Sequence, residues 1–147
     1  MSIEEICKKY GIKNYTINDD GSIDVNQKVS LSYYGLTELP LKFNKVTGNF
    51  DCSRNSLTSL EGSPESVGGK FYCEYNNLTS LEGSPESVGG NFYCFNNNLT
   101  SLEGSPKSIG GKFYCRNNPI ESIFNYVDID FIKAFNTFKV IKDGVVN

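Results

Sequence analysis

No histidine occurs anywhere in these 147 residues, which removes at one stroke the commonest general base and the commonest metal ligand. Positive charge is also scarce. Fourteen Lys and Arg against 17 Asp and Glu leave a net charge of -3 and a pI near 5.0, so there is no basic footprint and no nucleic-acid partner is expected. Long apolar runs are missing too, since nothing reaches the roughly 18 consecutive apolar residues of a membrane span. The N-terminal "MSIEEICKKYGIKNYTINDDG" lacks the basic and apolar blocks of a secretory signal. These absences lead us to expect a soluble, cytoplasmic chain that makes no membrane contact, at a length that suits one ordinary domain.

Cysteine is what the chain does have, and its placing is the strongest signal in it. Cys52, Cys73, Cys94 and Cys115 stand a constant 21 residues apart, and the same step carries Leu57 to Leu78, Leu99 and Ile120, and Leu60 to Leu81, Leu102 and Ile123. A fixed period of that length marks a solenoid. One step back from Leu57, Leu60, Val67 and Phe71 lie Leu36, Leu39, Val46 and Phe50, and a further step reaches Val25, Val29 and Leu31. The repeat array is therefore expected over 25–123 as about four to five units. An N-terminal cap over 1–24 and a C-terminal cap over 124–147 complete a single domain.

Within a unit, Phe71-x-Cys73-x-x-Asn76-x-Leu78 fits the tail of the leucine-rich-repeat pattern. Phe71 and Cys73 then point inward from a short strand, and Asn55, Asn76, Asn97 and Asn118 form a ladder whose amides satisfy backbone groups of successive turns. Val67 stands one residue too far from Phe71 for the pattern, so Gly68-Gly69 is expected to absorb a bulge. The expected fold is an α/β repeat: a leucine-rich-repeat-like solenoid with a short parallel β-sheet on its concave face. The N-terminal cap reads as a helix, with Ser2 and Glu5 as a capping box and Gly11 as a stop, followed by a hairpin in which "NYTI" and "SIDV" flank "NDDG". The C-terminal cap reads as a helix with Val127, Phe131, Ile132 and Phe135 at helical spacing, then a turn at Asp143-Gly144.

Alternation along the strand turns Tyr72 outward, and the repeat step stacks it with Asp51, Tyr93 and Tyr114 at a spacing of about 4.8 Å. Such a strip is either a binding surface of rigid rings or a column that stabilises the sheet by cross-strand packing. Beside it run Asn49, Lys70, Asn91 and Lys112 on one side, and Ser53, Glu74, Phe95 and Arg116, then Arg54, Tyr75, Asn96 and Asn117, on the other. The last two columns change at nearly every rung, whereas "LTSLEGSP" is invariant from Leu57, Leu78 and Leu99. Copied units altered on one face point to a selected surface there. Its expected contact set is Asp51, Lys70, Tyr72, Glu74, Tyr75, Tyr93, Phe95, Lys112, Tyr114 and Arg116.

Cys52, Cys73, Cys94 and Cys115 are too far apart in sequence for zinc pairing, and in-register parallel side chains suit disulfides poorly, so buried free thiols are expected. Glu61, Glu82 and Glu103 read as a solvated acidic edge, without the nonapeptide signature of calcium solenoids. Serines, threonines and carboxylates recur identically in each rung, and no unique catalytic constellation stands out. No enzyme activity, metal or cofactor is expected.

The units "FYCEYNNLTSLEGSPESVGG" and "FYCFNNNLTSLEGSPKSIGG", with "NYTINDDGSIDV" and "GLTELP" before them, resemble the leucine-rich-repeat-like proteins of large bacteriophages. The stretch "LTSLEGSPESV" is similar to the repeat units of bacterial effector proteins. The effectors' ubiquitin-ligase domain has no counterpart of sufficient length here, so that activity is not carried over. Members of the phage group often run on past "VIKDGVVN", which leaves an end at Asn147 compatible with a shorter member or a cut chain. The resemblance implies a binder of a bacterial host protein, or of a phage protein, and in its most specific form one that acts against host defence by occlusion. Two other functions use the same residues: a carbohydrate-binding module with the tyrosines as platforms, and a self-assembling structural protein.

Overall fold

The structure, a computed structural model, describes residues 1–120 and 129–130. The helix α1 (Ile3–Lys9) opens the chain. It is followed by β1 (Tyr15–Ile17), β2 (Ile23–Val25), β3 (Val29–Ser30), β4 (Phe43–Val46), β5 (Phe50–Asp51), β6 (Ser66–Val67) and β7 (Phe71–Tyr72). Then come β8 (Ser87–Val88), β9 (Phe92–Tyr93), β10 (Ser108–Ile109), β11 (Lys112–Tyr114) and β12 (Ile129–Asp130). These strands build a solenoid of two sheets. The first runs β1-β2-β4-β6-β8-β10 and the second β12-β11-β9-β7-β5-β3.

The 21-residue step is one turn of the coil. In the second sheet Phe50 pairs with Phe71, Phe71 with Phe92, and Phe92 with Phe113, all parallel. In the first, Val46, Val67, Val88 and Ile109 align in the same way. Stacking puts like on like between the sheets. The phenylalanine rings lie 5.6, 5.1 and 5.3 Å apart and close to parallel, and Cys52, Cys73 and Cys94 fill the neighbouring column with no exposure. Each of those thiols donates to the carbonyl oxygen of the tyrosine one rung on, at 3.3, 3.2 and 3.4 Å.

The asparagine ladder follows the predicted logic. Asn76 Nδ2 donates to the carbonyls of Cys52 (3.0 Å) and Cys73 (3.1 Å), while its Oδ1 accepts from Leu57 N (3.0 Å). Asn97 repeats the pattern one rung later. Asn118 and Asn55 do the same at the ends of the series. One side chain thus ties a donor and two acceptors of adjacent turns that the strands leave unpaired.

The expected single sheet is corrected to two. Val67 is not the start of a bulge but half of a strand in the first sheet, with Ser66 outside and Val67 inside. Gly68-Gly69 is the corner between sheets. Rungs approach so closely there that a Cβ on Gly68, Gly89 or Gly110 would overlap the carbonyl oxygen of Thr47, Gly68 or Gly89 beneath it, so only glycine fits.

The α/β expectation reduces to one helix among the described residues. Its capping box forms: Ser2 Oγ accepts from Glu5 N, and Glu5 Oε2 accepts from Ser2 N, both at 3.1 Å. The hairpin forms as expected, pairing Tyr15 with Val25 and Ile17 with Ile23. Because β2 also pairs in parallel with β4, the hairpin closes the first sheet at its N-terminal edge. At the other end Ile129–Asp130, expected within a helix, are instead a strand antiparallel to Lys112–Phe113. They close the second sheet in turn, each antiparallel strand covering an open edge. Val127, Phe131, Ile132, Phe135 and the Asp143-Gly144 turn lie outside the described residues.

Candidate functional site

The outer face of the second sheet is built by the residues that alternate with the phenylalanine and cysteine ladders. Tyr72, Tyr93 and Tyr114 stack there with ring centroids 4.7 and 4.9 Å apart and planes within 2°. All three are half-buried. Asp51 heads the column, its Oδ1 accepting from the amide (2.9 Å) and hydroxyl (2.6 Å) of Ser53. Asn91 braces the strip from the side. Its Nδ2 donates to the Tyr93 hydroxyl at 2.9 Å and its Oδ1 accepts from Lys112 N at 2.8 Å; Asn49 Oδ1 receives Lys70 N likewise. The Lys70 and Lys112 side chains stand exposed along this edge.

Phe95, which strand alternation turns to the outer face, is half-buried among partners. Its ring meets Tyr75 at 5.7 Å and Tyr93 at 6.3 Å, both edge-on, and the Arg116 guanidinium lies 5.4 Å over it. One residue further along each rung, Tyr33, Arg54, Tyr75, Asn96 and Asn117 share a left-handed backbone, with φ between 53° and 63°. Asparagine tolerates that conformation, while tyrosine and arginine adopt it rarely. In the first three rungs the bulky side chains stack, the Arg54 guanidinium sitting 4.2 Å over Tyr75 and 5.5 Å over Tyr33. Tyr33, Tyr34 and Tyr75 are among the most exposed large apolar residues of the fold.

Glu74 departs furthest from expectation. Strand alternation sends it outward, yet it is only 9% exposed, and its Oε2 is buried with no hydrogen-bond partner. Burial pushes its carboxyl up to about 7, and the nearby Asp51 charge pushes the same way; its own backbone amide and Arg54 pull it back. The thiols of Cys52, Cys73 and Cys94 are also held well above their ordinary range, chiefly by burial. They are free and inert in that state.

The structure thus brings nine of the ten expected contact residues onto one face and buries the tenth, Glu74. Tyr33 and Arg54 belong to the same surface and were missing from the expected set, whereas Tyr34 packs edge-on against Tyr10 of the N-terminal cap. Stepping the Arg54 column one unit back reaches Tyr33, which is the signal that would have found it. Among the described residues no group of three or more His, Cys, Asp or Glu is placed to hold a metal ion, and no helix is long and apolar enough to cross a membrane. No protein-family model, curated protein or solved structure matches this chain.

Proposed function

We propose that this solenoid is a non-enzymatic binding module and that another protein docks on the outer face of the second sheet. The observation that supports this most is the column Tyr72, Tyr93 and Tyr114 together with its rim of Tyr75, Phe95, Lys70, Lys112 and Arg116. Stacked rings already held in place bury area at small entropic cost, and charges around them supply orientation. The resemblance to phage leucine-rich-repeat-like proteins adds the finer reading. The chain is phage-encoded, its partner is a bacterial host protein met in the host cytoplasm, and binding acts by occlusion, a defence protein being the kind of target such a chain would block.

The stacking geometry weighs against the carbohydrate reading. With planes within 2° and centroids under 5 Å apart, the tyrosines spend their faces on one another and turn edges and hydroxyls outward, whereas a sugar ring needs an open face. The test is affinity capture from bacterial lysate by the native chain and by a Tyr72→Ala, Tyr93→Ala, Phe95→Ala variant whose circular dichroism matches it. One protein recovered by the native chain and lost with the variant supports the face. Equal recovery by both moves the binding site to the caps.

A further inference from the structure

We infer that the partner presents an acidic side chain, an aspartate or glutamate carboxylate, to this face, and that the Arg54 guanidinium receives it through paired N–H···O bonds. This rests on the proposed docking face and names the chemistry that the face recognises.

Arg54 is the starting point, because its place in the coil does not call for it. The equivalent positions two and three rungs on hold Asn96 and Asn117 in the same left-handed backbone, which asparagine adopts at lower cost than a long or aromatic side chain. Tyr33, Arg54 and Tyr75 accept that cost in three consecutive rungs and stack, the guanidinium lying 4.2 Å over the Tyr75 ring and 5.5 Å over the Tyr33 ring. The side chain is thereby braced while it stays exposed. Stacking uses the face of a guanidinium and leaves its five N–H donors at the edge. Among the described residues those donors have no acceptor and no ion pair; Arg54 draws the Glu74 carboxyl down only at a distance.

The other cations of the face share this condition. Lys28, Lys70 and Lys112 stand exposed on alternate rungs of one column, at steps of about 10 Å, and Arg116 is exposed over Phe95. Among the described residues the ion pairs join Lys42 to Asp20 and Lys107 to Glu86, both away from this face. Its acids are fewer and less available. Asp51 is half-buried and already accepts from Ser53, Asp130 stands in register with Lys112, and Glu74 is buried with its carboxyl pushed up to about 7 by desolvation. Five exposed cations thus gather on one face of a chain whose net charge is -3. A carboxylate fits the free edge of Arg54, since its two oxygens meet two parallel donors, and closure by a partner strengthens the pair by excluding water. The lysine column adds attraction at longer range. Nucleic acid carries the same sign of charge, but its bases need open ring faces, and the tyrosines spend theirs on one another.

The probe is an acetylated, amidated peptide of alternating Gly and Glu, titrated into the full chain at low salt and followed by NMR at the Arg54 Nε–H. Its Gly-Arg counterpart and a single-stranded oligothymidylate are the controls. The expected result is binding of the Glu peptide and not the Arg peptide, a shifted Arg54 Nε–H signal on saturation, and about tenfold weaker binding in Arg54→Asn, which copies the residue two rungs on and so suits the backbone. Arg54→Lys keeps the charge without the planar fork and should lose most of the same affinity. Native affinity in either variant, an unmoved Arg54 signal, equal binding of the Arg peptide, or tighter binding of the oligothymidylate overturns the inference. If Tyr93→Ala loses the Glu peptide while Arg54→Asn keeps it, the docking face stands and the Arg54 seat falls. If Arg54→Asn loses it while Tyr93→Ala keeps it, the seat stands and the tyrosine column drops out of the docking face. If neither change affects binding, both fall together.

Discussion

The two sheets of this solenoid are laid down by the same chain at the same step, and their inner faces are equivalent: Val46, Val67, Val88 and Ile109 in one, Phe50, Phe71, Phe92 and Phe113 in the other. Their outer faces are not. The first sheet sets Lys45, Ser66, Ser87 and Ser108 in register, while the second sets Asp51, Tyr72, Tyr93 and Tyr114. A column of serines is evidently enough to finish a parallel sheet in this coil. On our proposal the tyrosines serve a partner, and the rung-to-rung changes from Ser53 through Glu74 and Phe95 to Arg116 run beside them on the second sheet.

This contrast is open to direct test, and the largest effect should come from the interior. Asn97→Ala removes the buried bonds to Cys73 O, Cys94 O and Leu78 N and should cost about 3–5 kcal/mol in urea unfolding, at about 1–3 kcal/mol for each orphaned group. A cost below about 1 kcal/mol would mean that the ladders do not hold the coil. On the outer faces the sheets should part company. Tyr93→Ser, which gives the second sheet the first sheet's residue, should weaken partner binding about tenfold or more while lowering stability by only about 1 kcal/mol. The mirror change, Ser87→Tyr, should leave binding where it was; a loss there would show that both faces engage the partner.

A smaller effect is tied to pH. The folded-state value of Glu74, about 7, lies above its ordinary 4.5, so its contribution to stability is fully present below that ordinary value and is lost as pH rises through about 7. Melting temperature should accordingly fall for the native chain relative to Glu74→Gln across that window, and parallel curves would refute the burial of this carboxyl. The smallest effect belongs to the left-handed column. Tyr75→Asn relieves about 1 kcal/mol of backbone cost and gives up an Arg54 contact worth about 0.5–1 kcal/mol. Net stability should stay within about 0.5 kcal/mol of native by the same estimates, and a drop several times larger would make Tyr75 a structural residue.

Much of this architecture could be read in the sequence because a stacked repeat writes each inner column four times over. The cysteine and asparagine ladders and the outward tyrosines follow from the step and from alternation alone. The first sheet did not, since a two-residue strand such as Ser66–Val67 is too short to display any period, and the glycines after it resemble a bulge. Ile129–Asp130 pair with β11, a contact that local helical spacing cannot reveal. In the site, Glu74 looked exposed because alternation fixes the direction of a side chain but says nothing of the neighbours that cover it. The left-handed column was hinted at by Asn96 and Asn117, and masked by the tyrosines and arginine that occupy the same conformation earlier in the chain.

The thiol column has a use of its own. Cys52, Cys73 and Cys94 are sealed, each one rung from the next, while Cys115 at the end of the array is only partly covered. A bulky thiol reagent can therefore modify each of them only when its own turn opens. The order in which these four thiols react, read by peptide mapping that separates them from buried Cys7 of the N-terminal helix, would chart how the coil frays, turn by turn, with no residue changed.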